Sequence, residues 1–285
     1  MLPLPSCIAC FSLHRKIFLN PYIIWKIPRA DDGRLAVIFP VRFTTGRISP
    51  IPMNTIEIST QPFDGQKPGT SGLRKRVKEF EQARYLENFV QSIFNALGDY
   101  KEQGCAEKSL VIGGDGRYFN RPATQTIIRM ALANGFTRLI VGQGGILSTP
   151  AASCVIRKFK TFGGIILSAS HNPAGPNADF GIKYNGANGA PASETVTSSI
   201  YQQTQTIDHY LSVELNDINL DQLGSINVGE AVIEVIDPVA DYAQLMASLF
   251  DFPAISKLLK SNDFGMCFDA MHAVTGPYAV NILEH

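Results

Sequence analysis

The stretch Ser109-Leu110-Val111-Ile112-Gly113-Gly114-Asp115-Gly116-Arg117 decides how this chain is read. A short β-rich run, Ser109–Ile112, ends in a glycine-rich turn, Gly113–Arg117, and a helical pattern follows from about Pro122 to Asn134-Gly135. Proline near the start and glycine just past the end is the usual asymmetry of a helix. The cycle then repeats. Leu139–Val141 reads as a strand, Gly142–Leu147 as a loop, and Ser148-Thr149-Pro150 opens a helix to about Thr161, before a third strand at Gly164–Ser168. Continuous apolar strands alternating with helices predict a parallel sheet covered on both faces. The fold class is α/β.

Upstream, Val77, Phe80, Leu86, Phe89, Val90, Ile93, Phe94 and Leu97 recur mostly at three- and four-residue intervals and predict one amphipathic helix. Downstream, Phe180–Asn185 reads as a strand, and Ser193 caps a polar helix reaching about Tyr210. Residues 212–230 are acidic and irregular, as surface hairpins or loops are. Val232–Ile236 then reads as a strand, Val239–Phe250 as a helix, Ile255–Leu259 as a short helix, and Met266–Ala270 as a strand entering a helix. A domain beginning near position 240 is too short to complete its own sheet. The expected organisation is therefore an extension over 1–52, a first domain over 53–240, and a truncated start of a second over 241–285.

The 285 residues are 45% hydrophobic and 18% charged, with Lys+Arg (25) equal to Asp+Glu (25). That balance argues against a disordered chain and against a polyanion binder, so no nucleic-acid partner is expected. No apolar run approaches the roughly 18 residues of a membrane span, so no membrane partner is expected either. The five cysteines, Cys7, Cys10, Cys105, Cys154 and Cys267, form no disulfide framework; the cytoplasm is the expected compartment. Residues 1–52 differ from the rest. They hold seven basic side chains against two acidic and seven of the seventeen prolines, without a sustained period. A presequence or secretory signal fits them poorly, because Met-Leu-Pro-Leu-Pro lacks a basic start and the prolines would interrupt a helix. Met53 is the expected natural start.

Open α/β sheets bind ligands at the carboxyl ends of their strands, which directs attention to Ala169-Ser170-His171-Asn172-Pro173 after the third strand. A serine there can be a nucleophile, an acyl acceptor or a turn residue; the lack of a Gly-x-Ser-x-Gly elbow disfavours acyl transfer. In Gly69-Thr70-Ser71-Gly72-Leu73-Arg74-Lys75-Arg76, backbone N–H groups, the Thr70 and Ser71 hydroxyls and three cations make an anion cradle, although such basic runs are more often solvated. Lys183, flanked by Phe180, Ile182 and Tyr184, needs an anionic partner or an open end, unless its stem simply snorkels.

Lys67-Pro68-Gly69-Thr70-Ser71-Gly72-Leu73-Arg74, Gly142-Gln143-Gly144-Gly145-Ile146-Leu147-Ser148-Thr149-Pro150, Ala169-Ser170-His171-Asn172-Pro173 and Phe180-Gly181-Ile182-Lys183 resemble the phosphoglucomutases of the α-D-phosphohexomutase superfamily. Asp269-Ala270-Met271-His272 and Gly276-Pro277-Tyr278 extend the resemblance to the end of the chain. It implies a mixed, mostly parallel sheet between helices, plus the start of a second similar domain. It also implies an isomerase interconverting glucose 1-phosphate and glucose 6-phosphate through a phosphoserine and glucose 1,6-bisphosphate, with these sugar phosphates as partners. On that resemblance Ser170 is the phosphoserine and holds Mg2+ through its phosphate; His171 and Lys183 belong to the catalytic group, and Arg74, Thr70, Ser71 and Asn172 bind substrate or phosphate. The resemblance leaves the oligomeric state open, a monomer being compatible. The family's Asp-Gly-Asp-Gly-Asp metal loop, Gly-Glu-Glu sugar motif and Ser-Gly-Thr phosphate loop do not occur here. The implied activity therefore belongs to a longer protein, and a mutase for another hexose phosphate such as mannose, or a catalytically silent relative, stays open.

Overall fold

The computed structural model describes residues 54–69, 71–99, 101–261 and 264–284. The expected extension over 1–52 and Thr70 of the anion cradle lie outside these residues.

The strands are β1 (Thr55–Ser59), β2 (Leu73–Arg76), β3 (Ser109–Gly114), β4 (Arg138–Ile146), β5 (Gly163–Leu167), β6 (Asp179–Gly186), β7 (His209–Val213), β8 (Gly224–Val228) and β9 (Ala231–Ile236). Seven of them form one sheet in the order β2-β6-β5-β3-β4-β9-β8, and β1 pairs with β7 in a separate ribbon. The centre is parallel: β3 pairs with β4 and β5, and β4 with β9. The margins are antiparallel, through β2–β6, β5–β6 and the hairpin β8–β9. The sheet is thus mixed, and antiparallel pairing closes both flanks of the parallel core.

Alternation along the central strands explains the two layers. Leu110 and Ile112, Leu139 and Val141, and Ile165 and Leu167 enter one core cluster, whereas Val111, Ile140 and Ile166 enter another. A strand buried on both sides has no polar face to offer, which is why these strands read as unbroken apolar runs. Helices α1 (Val77–Phe80), α2 (Tyr85–Ala96), α3 (Asn120–Ala133) and α5 (Glu194–Thr206) supply the first cluster, and α4 (Thr149–Phe159) the second. Ser148 caps α4 by accepting the Ala151 N–H at 3.3 Å, and Ser193 caps α5 by accepting from Val196 at 3.4 Å.

Four expectations change. The single helix from Val77 is two helices, because Arg84 sits in the left-handed region (φ 72°) and redirects the chain between Phe80 and Tyr85. The segment expected as a loop, Gly142–Leu147, is largely strand: β4 runs on to Ile146 after a register shift opposite Ile112–Gly114. Helix α5 ends at Thr206, and the residues beyond form β7 because Tyr210 and Val213 are buried against the first cluster. Met266–Ala270 forms no strand; the backbone there is irregular and no described strand lies beside it. A strand without a ladder leaves its N–H and C=O groups to water and has no reason to stay extended.

Past β9 the chain forms α6 (Ala240–Leu249), α7 (Phe252–Leu259) and α8 (Gly276–Leu283). Val239 and Tyr278 join the second cluster beside α4, and Lys158 on α4's last turn pairs through its Nζ with Asp241 at 2.5 Å. No helix among the described residues is long and apolar enough to cross a membrane.

Candidate active site

Strand β5 delivers the loop Ser168–Pro173 to the carboxyl edge of the parallel core. Ser170 is exposed and holds φ 58°, a left-handed conformation that costs a non-glycine residue of order 1–3 kcal/mol. The loop persists in it because hydrogen bonds fix it from below. The Ser170 N–H donates to Ser168 Oγ at 3.0 Å, and that hydroxyl donates to Asp115 Oδ2 at 2.8 Å. Arg117 completes the clamp. Its Nε and Nη2 donate to the Asp115 carboxylate at 2.9–3.0 Å, Nη2 to the Ser170 carbonyl at 3.0 Å, and Nη1 to the Asp179 carbonyl at 2.8 Å. The Arg117 side chain is only 4% exposed, so the ion pair is held away from water. Charge-assisted donors sharing one carboxylate are the strong kind of hydrogen bond.

Gly181 on β6 lies directly under this loop. A Cβ there would stand 2.2 Å from the Ser168 carbonyl oxygen and 3.1 Å from Ala169 Cα, so only glycine lets the strand and the loop approach this closely. Asn172 is tied down separately, its Nδ2 donating to Asp179 Oδ2 at 2.8 Å. His171 is exposed, with Nδ1 3.5 Å from Ser170 Oγ.

The cations arrive from the adjacent antiparallel strands. Lys183 on β6 is in register with Ile166 of β5, and Arg74 on β2 with Gly181 of β6. Burial pushes the Lys183 ammonium below its ordinary pKa; the Arg74 charge adds to that, and the Asp115 carboxylate opposes it. Lys183 Nζ donates to Thr149 Oγ1 at 3.2 Å, at the first residue of α4. Arg74 Nε is buried without a hydrogen-bond partner among the described residues. Two cations held close to each other, one with an unused donor, form a place where an anion relieves both.

Gly69 and Gly72 exchange backbone hydrogen bonds at 2.9–3.0 Å, which makes a tight turn with exposed Ser71 at its tip. Gly72 has φ 87°, and a Cβ on it would fall 2.5 Å from Lys183 Cβ, so the turn is pressed against the lysine. The fold therefore gathers the Ser170 loop, Lys183, Arg74 and the Gly69–Gly72 turn at one sheet edge. A cleft of about 540 Å³ opens on the other flank of β3, lined by Arg117, Tyr118, Asn120, Gly144 and Ile146. It lies where the β3 and β4 crossovers leave to opposite faces and is not centred on Ser170.

Asp115, Arg117, Ser168 and Thr149 are the residues that sequence reasoning missed. The signal was the Asp-x-Arg spacing inside Gly113–Arg117, at the end of the strand that neighbours β5; read as a strand-ending turn, it hid a clamp. No cluster of three His, Cys, Asp or Glu side chains fit for a metal occurs among the described residues.

Comparison with known proteins bears on this arrangement. Residues 65–211 match the family described as phosphoglucomutase/phosphomannomutase, alpha/beta/alpha domain I. A phosphoglucomutase of Rhizobium radiobacter is 59% identical over 227 residues, which are 80% of this chain and 41% of that protein. A chloroplastic phosphoglucomutase of Arabidopsis thaliana is 53% identical over 79% of this chain and 36% of its own length. A cytoplasmic one of Populus tremula is 51% identical over 80% and 40%. Among solved structures, the open form of the Paramecium exocytosis-sensitive phosphoprotein pp63/parafusin, a phosphoglucomutase, superposes with a TM-score of 0.75 at 49% identity, over 80% of this chain and 43% of that one. The chain thus spans about two fifths of the length of these relatives.

Proposed function

Since the chain belongs to the phosphoglucomutase/phosphomannomutase family, we propose that the whole protein to which it corresponds interconverts glucose 1-phosphate and glucose 6-phosphate. Ser170 carries the phosphoryl group, gives it to the sugar phosphate to form glucose 1,6-bisphosphate, and takes back the other phosphate after the bisphosphate has turned. The observation that carries this reading is the Ser170 loop itself. An exposed hydroxyl is held in a left-handed backbone by the Asp115–Arg117 clamp, at the same sheet edge as Lys183 and Arg74. Phosphoryl transfer needs little beyond such positioning and charge neutralisation. On this reading Lys183 and Arg74 neutralise phosphate oxygens, His171 and Asn172 orient the phosphoserine, and Thr70 and Ser71 bind phosphate. Glucose is favoured over mannose because the relatives at 51–59% identity are phosphoglucomutases.

A magnesium ion would neutralise charge on the phosphoserine, but the residues present do not make its site. Asp115, the acid beside the loop, is already taken by Arg117 and Ser168, so Ser170 alone would offer a ligand through its phosphate. Magnesium prefers near-octahedral oxygen coordination; the carboxylates would come from outside these residues. The domain division, 53–240 and 241–285, belongs to the same proposal. So does a cytoplasmic location, since the named relatives include both cytoplasmic and chloroplastic proteins.

The test is a chimera in which residues 54–284 replace the matching part of the Rhizobium radiobacter relative. It should convert glucose 1-phosphate to glucose 6-phosphate and gain about 80 Da, one phosphate, on the Ser170 peptide. Ser170→Ala should remove both. Lys183→Met or Arg74→Met should slow turnover about 30- to 1000-fold, the range for losing a charge-assisted contact in the transition state. A label on Ser168 or Ser148 instead would overturn the assignment.

A further inference from the structure

Tyr278 is the one buried side chain among the described residues of 264–284, and its phenol oxygen joins three segments of the chain. It accepts the backbone N–H of Ser148 at 3.0 Å and donates to the Pro238 carbonyl at 2.7 Å, while its ring stands edge-on to Tyr242. Ser148 is the N-cap of α4 and is itself buried. The next residue, Thr149, is the one whose hydroxyl accepts from Lys183 Nζ. One hydrogen-bonded path therefore runs from the C-terminal helix, through the cap of α4, to the cation beside the Ser170 loop.

We infer that Tyr278 is a positioning residue for Lys183: by holding the Ser148 amide it fixes the first turn of α4, and with it the Thr149 hydroxyl on which the ammonium rests. The inference builds on the reading of Lys183 as a phosphate-handling cation. A helix N-terminus has N–H groups without intrahelical partners, and a buried one left without an acceptor draws the cap toward water. Without the Tyr278 hydroxyl, Ser148 N–H is such a group, and any shift of the cap carries Thr149 with it. Tyr278 is 7% exposed, and its ring packs in the second cluster with Val274 and Ile282 half-buried beside it. Its phenol also stays protonated far into the alkaline range because burial raises its pKa, so the donation to Pro238 is not lost at working pH.

The test measures Lys183 directly rather than turnover. The 285-residue chain is acylated with an excess of a small amine-reactive ester, and modification of each lysine is followed by mass spectrometry, with exposed Lys67 and Lys78 as internal references. Tyr278→Phe, which removes one oxygen, should speed labelling of Lys183 about fivefold, the loss of one net hydrogen bond, and leave the references unchanged. Thr149→Val should do the same. Unchanged labelling in Tyr278→Phe with faster labelling in Thr149→Val would overturn the role of Tyr278, and unchanged labelling in both would overturn the whole path. Should Tyr278→Phe fail to fold, amide exchange in the unsubstituted chain decides. Slowing of the Ser148 amide by at least about tenfold supports the bond, and exchange at the rate of an open peptide overturns it. Failure of the chimera to phosphorylate Ser170 would strip Lys183 of its proposed task without altering any of these readings.

Discussion

Between Asn54 and Val239 most large apolar side chains are folded inward, while among the described residues from Ala240 to Glu284 half of them are exposed and only Tyr278 is buried. Phe80, Phe89, Phe136, Phe162 and Phe180 are fully buried in the first region. In the second, Leu249, Phe250, Phe264, Met266 and Phe268 are exposed, Met271 is 78% exposed, and neither α6 nor α7 buries a single residue. Apolar residues recur in both regions. What differs is the number of surfaces available: the sheet meets helices on two sides, whereas α6 and α8 join the cluster beside α4 on one side with nothing described on the other, and α7 contributes to neither cluster. An apolar stripe becomes a core only where a second one closes on it.

That contrast can be broken most forcefully at Phe180, whose ring packs edge-on against Phe80 at 4.9 Å and Phe119 at 5.3 Å. Phe180→Ala should cost about 3–5 kcal/mol, the usual range for emptying a buried aromatic site, and lower the denaturant midpoint accordingly. A loss below about 1 kcal/mol would mean that the first region is no better closed than the second.

Next in size is Arg117→Met. It leaves the Asp115 carboxylate, 16% exposed, without its cationic partner and frees the Ser170 carbonyl. The expected loss is about 2–4 kcal/mol, with faster proteolysis in the Ser168–Pro173 loop. An intact loop after the substitution would show that Gly181 and β6 alone hold it.

Lys183→Met gives a smaller effect of opposite sign. Because burial and Arg74 depress the folded-state pKa of Lys183, the unfolded chain binds that proton more firmly. Holding the ammonium therefore costs stability at neutral pH, and the cost fades as pH rises from the depressed value to the ordinary lysine value. The variant should melt above the unsubstituted chain at pH 7, and the gap should shrink in the alkaline range. A gap independent of pH would assign the effect to packing instead.

The smallest change is expected at Phe268→Ser, which should alter stability by no more than about 0.5 kcal/mol because the side chain already faces water. A loss of 2 kcal/mol or more, on the scale of about 2–3 kcal/mol for a buried side chain, would mean that Phe268 is covered in solution and would erase the distinction between the two regions.

The sequence by itself determined the α/β class, the central strands and the helix caps, because these rest on period, turn chemistry and short-range hydrogen bonds. The runs at Leu110–Ile112, Leu139–Val141 and Ile165–Leu167, and the caps Ser148 and Ser193, are local facts. Ser170 and Lys183 were legible as well, one through its place after an apolar strand and the other as a cation among apolar neighbours. Tertiary structure alone decided the rest. Strands β2 and β7 carry no clean alternation and exist because a neighbour pairs with them, and Met266–Ala270 forms no strand because no described strand pairs with it. The clamp of Asp115 and Arg117 on a loop more than fifty residues away, and the reach of Tyr278 to Ser148 across 130, follow from adjacency in the sheet and between helices. Spacing along the chain encodes only what lies within a few residues; contacts at long range are fixed by which faces the whole fold brings together.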